Sequence, residues 1–71
     1  MNILLTGATG FIGRNLLKEL LRDNRVSLIT RESTVQSLIP AGVEQFVFKG
    51  DIKRLKEFIL EKQIEGVVHL A

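Results

Sequence analysis

Cysteine, tryptophan and tyrosine are absent from the 71 residues, and proline, histidine and methionine occur once each. Without cysteine no disulfide can staple the fold, so its stability has to come from apolar burial, in a chain short enough that about 60% burial of the unfolded surface is all it can reach. The single histidine and the missing thiols leave no cluster of His, Cys and carboxylate at metal-ligand spacing. Four phenylalanines are the only aromatic residues, too few to make base-stacking platforms, and ten Lys and Arg against eight Asp and Glu, spread along the chain, give no basic stripe for nucleic acid. No apolar run approaches the roughly 20 residues that a bilayer crossing demands. The N-terminus has no charged, apolar and small-residue succession of a secretory signal, so the expected compartment is the cytoplasm. The length is under half of the roughly 150 residues usual for one domain, which excludes a two-domain enzyme.

What is present is a regular alternation. Asn2 to Thr6 is a short, nearly continuous apolar run, the pattern of a strand buried on both faces of a parallel sheet. From Phe11 to Asn24 the residues Ile12, Leu16, Leu17, Leu20 and Leu21 trace an apolar stripe at helical spacing, with Arg14, Lys18, Glu19 and Arg22 on the other side. Val26 to Thr30 reads as a second strand, Ser33 to Ile39 as a short helix that Pro40 must end, and Glu44 to Lys49 as a third strand closed by the turn at Gly50-Asp51. Ile52 to Gln63 returns to helical spacing through Leu55, Phe58, Ile59 and Lys62, and Gly66 to Ala71 supplies a fourth strand.

Strands alternating with helices specify an α/β fold with a parallel sheet. Right-handed crossovers predict the strand order 3-2-1-4 with helices on both faces and a switch point between the first and fourth strands, at whose carboxyl ends ligands bind. The fourth strand, Val67-Val68-His69-Leu70, would stand at the sheet edge with no charge, proline or bulge to protect it. The first expectation is therefore that residues 1–71 are the leading part of one longer domain; pairing with a second copy, a homo-oligomer, is the alternative.

Between the first strand and the first helix lies Thr6-Gly7-Ala8-Thr9-Gly10-Phe11-Ile12-Gly13. Gly7 allows a sharp turn, Gly10 removes a Cβ that would keep a pyrophosphate away, and Gly13 lets the helix pack closely. The free N–H groups around Phe11 and Ile12 and the helix dipole would attract the anion. The spacing Gly-x-x-Gly-x-x-Gly differs from the general Gly-x-Gly-x-x-Gly fingerprint, and a tight turn without a ligand is the bland reading. A P-loop is excluded, because Arg14-Asn15 stands where Lys-Ser/Thr is required.

This glycine motif, followed by Gly50-Asp51-Ile52 and by Val67-Val68-His69-Leu70-Ala71, resembles the extended short-chain dehydrogenase/reductase family, the NAD-dependent epimerases and dehydratases, over all 71 residues in order. The resemblance implies the first half of a Rossmann-type NAD(P)-binding domain. It also implies a nucleotide-linked sugar as substrate of the whole protein and a cofactor held by Gly7, Thr9, Gly10, Phe11, Ile12 and Gly13, with Asp51 and Ile52 at the adenine and Leu70 and Ala71 along the path to the nicotinamide. Arg31, at the end of the second strand, is similar to the arginine of members that take NADP and would pair a ribose 2′-phosphate; Glu32 beside it argues for NAD, and the balance favours NADP. Arg31 as a surface cation, and Asp51 as a helix cap, are the competing structural readings. His69 reads as a packed or hydrogen-bonded residue rather than a catalytic one. The family's Tyr-x-x-x-Lys pair cannot lie in a chain without tyrosine, so no catalytic residue is expected among these 71. A non-catalytic dinucleotide sensor or scaffold is the alternative function.

Overall fold

A computed structural model describes residues 1–8, 10–32, 34, 37 and 39–70. The elements are β1 (Asn2–Thr6), α1 (Phe11–Leu20), β2 (Arg25–Thr30), β3 (Glu44–Val47), α2 (Ile52–Glu61) and β4 (Gly66–His69). The short helix expected over 33–39 lies outside the described residues.

The apolar run of β1 takes the centre of the sheet because both of its faces need cover. All strand pairings are parallel, in the order β3-β2-β1-β4. Ile3 and Leu5 pair with Val26 and Leu28 on one face, and Leu4 points to the other. Both faces are sealed: Leu4 is 1% exposed and Leu5 and Leu28 are fully buried. On the first face Leu5, Ala8, Leu17, Val26 and Leu28 form the core, with Leu16 and Leu20 of α1 packed against it. On the opposite face Phe58 of α2 meets Phe46 of β3, ring centroids 5.1 Å apart. The helices thus cover both faces of the sheet, and β4 stands at its edge with Val67 60% exposed.

The apolar stripe of α1 is narrower than its sequence suggests. Gly13 and Leu17 are buried, whereas Ile12 is 72% exposed and Leu21 caps the helix at 39% exposure. At 100° per residue, Ile12 and Leu21 each fall about a quarter turn from the line through Gly13, Leu17 and Leu20, beyond the reach of the sheet. The helix also stops at Leu20, not Asn24; the Asn24 N–H and Nδ2 both return to the Leu20 carbonyl at 3.0 Å. In α2 the stripe is as expected, with Leu55, Phe58, Ile59 and Lys62 all half-buried. That helix ends two residues early through paired bonds from Gln63 N to Leu60 O at 3.2 Å and Ile64 N to Ile59 O at 3.1 Å, with Gln63 in the left-handed region at φ 54°.

β1→α1→β2→β3 runs to one side of β1, and α2 returns the chain to the other, so the switch point falls between β1 and β4. Because every strand is parallel, Thr6, Thr30, Val47 and His69 all end at the same edge. The expected binding residues follow those ends.

Candidate functional site at the carboxyl edge of the sheet

The three glycines of the first turn do three different jobs. Gly7 adopts φ +76°, and a Cβ there would overlap the Leu70 carbonyl oxygen and lie 2.9 Å from Leu70 Cβ. Its smallness therefore makes room for Leu70, just after β4, whose N–H donates to the Thr6 carbonyl at 3.2 Å. A Cβ at Gly13 would overlap the Gly7 carbonyl oxygen and stand 2.8 Å from Ala8 Cα, so this residue lets α1 lie directly on the turn. Gly10 is different. It has ordinary extended geometry, φ −76° and ψ 170°, and the nearest atom to a Cβ there is the Gly7 carbonyl oxygen at 3.9 Å. Neither its backbone conformation nor packing against the described residues beyond its chain neighbours demands glycine at this position.

Gly10 is also the N-cap of α1. Its carbonyl accepts the first helical bond from Arg14 N at 2.9 Å, and no side chain caps the helix. Among the described residues no group accepts from the N–H of Phe11, Ile12 or Gly13. These donors carry the positive end of the helix dipole, and the first turn holds no acidic residue to occupy it. Phe11 and Ile12 turn their side chains outward, at 76% and 72% exposure, leaving their backbone at the turn.

The other expected residues lie along the same edge. Arg31 follows β2, is exposed, and its N–H donates to Thr34 Oγ1 at 3.1 Å. No carboxylate among the described residues pairs with it. Asp51 follows the left-handed Gly50 after β3 and caps α2, Oδ1 accepting from Arg54 N at 3.2 Å with Oδ2 3.6 Å from Arg54 Nε. The capping reading of Asp51 is thus present, and Ile52 opens the helix beside it, exposed. Asp51→Ala is expected to cost about 1 kcal/mol, and Asp51→Ser to restore most of it, in urea unfolding. Half-buried Leu70 sits against Gly7, while Thr9 and Ala71 lie outside the described residues. His69 shares a hydrogen bond with Thr6 Oγ1 across β1 and β4, and its side chain is exposed rather than packed in the core.

One residue at this edge escapes a reading of the sequence. Lys49, two positions before Asp51, reaches Glu32 with Nζ–Oε1 at 3.6 Å. Only the register of β2 and β3, carried on by Phe48 N donating to Thr30 O at 2.9 Å, puts these two residues opposite each other.

A crossed-over parallel sheet with this glycine turn at its switch point defines a class, and the profile of the NAD dependent epimerase/dehydratase family matches residues 3–71. The chain belongs to that family and is of the extended short-chain dehydrogenase/reductase type. It is 39% identical over 75 aligned positions to the dTDP-6-deoxy-L-talose 4-dehydrogenase (NAD(+)) of Aggregatibacter actinomycetemcomitans, covering 100% of this chain and 27% of that protein. Among solved structures it is similar to the UDP-glucose 4-epimerase of Thermotoga maritima with UDP-glucose, with a TM-score of 0.82 and 26% identity over 100% of this chain and 24% of that one. It is likewise similar to the dTDP-glucose 4,6-dehydratase of Bacillus anthracis in complex with NAD, with a TM-score of 0.71 and 26% identity over 100% of this chain and 26% of the other. The chain spans about a quarter of the length of each of these relatives.

Proposed function

We propose that residues 1–71 form the opening part of the dinucleotide-binding domain of an enzyme that epimerises, dehydrates or reduces a nucleotide-linked sugar, and that they hold NADP. The observation that carries this reading is Gly10, a glycine for which the described residues give no packing reason, set beside helix N–H groups that none of the described residues accepts from. Removing a side chain there opens a path for a bulky anion to the backbone, the fit a pyrophosphate needs. Charge-assisted hydrogen bonds of this kind contribute about 1.5–3 kcal/mol each, and the helix dipole adds about 0.3–1 kcal/mol. The names of the relatives, two specifying NAD and one UDP-glucose, support a nicotinamide dinucleotide and a nucleotide sugar.

The nicotinamide ring would supply hydride chemistry when bound; the residues of this chain bind and orient. The amides of Phe11 to Gly13 would grip the pyrophosphate. Asp51 would accept from the adenine amine with the capacity left to its carboxylate after capping, Ile52 would lie against the ring, and Leu70 and Ala71 would line the way toward the nicotinamide. Arg31, free of any carboxylate among the described residues, would pair a 2′-phosphate. Proton transfer would fall to residues outside these 71, as the missing tyrosine requires.

Titrating the full-length protein with NADPH and NADH, followed by cofactor fluorescence, tests the reading. NADPH is expected to bind at least tenfold tighter, and Arg31→Ala to weaken NADPH by about 10–100-fold, the range of one charge-assisted pair, while moving NADH less than threefold. Binding of neither cofactor would overturn the proposal, and an NADH preference would overturn the role of Arg31.

A further inference from the structure

The residue after Arg31 is a carboxylate, and a carboxylate at the end of the second strand ordinarily opposes a 2′-phosphate. Glu32 does not stand alone in this fold. The β2–β3 ladder runs one rung past the strands through Phe48 N to Thr30 O, so the two chains leave the sheet side by side, and Lys49 closes on Glu32 at 3.6 Å. Both side chains are 67% exposed, so this ion pair does little for stability. Its effect is on the local field: Arg31 and Lys49 together set two cations against one carboxylate, where the sequence around Arg31 alone shows one of each.

We propose that Lys49 is a specificity-determining residue, which cancels the charge of Glu32 and so permits a nucleotide carrying a 2′-phosphate beside Arg31. The inference rests on the dinucleotide reading above and adds the residue that resolves its conflict between Arg31 and Glu32. A 2′-phosphate carries close to two negative charges at neutral pH. At about 6 Å from an uncompensated carboxylate, under water-like screening, its affinity would fall roughly tenfold. The unphosphorylated ribose of NADH carries no charge there and would not register the change.

The test is NADPH and NADH titration of the full-length protein and of K49M, K49R, E32Q and the double variant K49M/E32Q. K49M is expected to raise the NADPH Kd about five- to tenfold and the NADH Kd less than twofold. K49R should stay close to the parent, and K49M/E32Q should recover most of the lost NADPH affinity, because with no carboxylate there is nothing left to cancel. The K49M effect should shrink as salt rises from about 0.05 to 0.5 M. An unchanged NADPH Kd in K49M, an equal loss of both cofactors, or no recovery in the double variant would overturn the proposal while leaving the dinucleotide reading in place. A parent protein that binds neither cofactor would end both.

Discussion

Gly13→Ala is expected to destabilise the fold by about 3 kcal/mol or more, against the direction that helix propensity alone would give. Within a helix, replacing glycine by alanine gains about 1 kcal/mol. Here the new methyl would overlap the Gly7 carbonyl oxygen and press on Ala8 Cα at 2.8 Å, and both are backbone atoms that no side-chain rotation can clear. Relief would require α1 to lift from the sheet, drawing Leu17 out of the core it forms with Leu5, Val26 and Leu28. A urea midpoint well below that of the parent, or failure to fold in soluble form, is the expected measurement. An unchanged or raised midpoint would mean that α1 does not sit on the turn as described.

Gly10→Leu should do the opposite: leave the fold and remove the ligand. The backbone there is in a region open to any residue, and among the described residues beyond its chain neighbours the nearest atom to the new Cβ is 3.9 Å away, so the unfolding free energy from urea titration should fall by no more than about 1 kcal/mol, the cost of a poor N-cap. The isobutyl group would fill the open side of the turn and hold a pyrophosphate away from at least two amides, each contributing about 1.5–3 kcal/mol. NADPH affinity is expected to drop at least about 100-fold. Gly10→Ala should fall between. Retained affinity in Gly10→Leu would sink the assignment of this turn to the cofactor. The two glycines, three residues apart, thus separate a folding role from a binding role in one pair of variants.

The fold was legible where a pattern had one physical solution. A run of apolar residues too short to be a helix and apolar on both faces, Ile3-Leu4-Leu5, had to be a central strand, and its bounds at Asn2 and Thr6 agree with the structure. The strand order followed from parallel pairing and crossover handedness. Legibility failed where a residue's fate depends on its neighbours in space. Ile12 looks like core and is exposed because it falls about 140° around the helix from Leu17. α2 ends at a left-handed Gln63, a residue that does not announce a stop as glycine would. At the site, the order of the glycines was readable but their division of labour was not, since Leu70 and Ala8 lie against Gly7 and Gly13 only once the chain is folded. The Lys49–Glu32 pair spans 16 intervening residues and has no local signature.

Leu70 bears on more than the shape of Gly7. Its N–H is tied to Thr6 and its carbonyl lies against the next residue, Gly7, while Gly13 locks the far side of the same turn. On the proposed reading, an anion at this loop would meet amides of Phe11 to Gly13 held in place by these contacts, and would lose little of its binding energy to ordering them. Affinity in such a cradle is set by how well the guest fits.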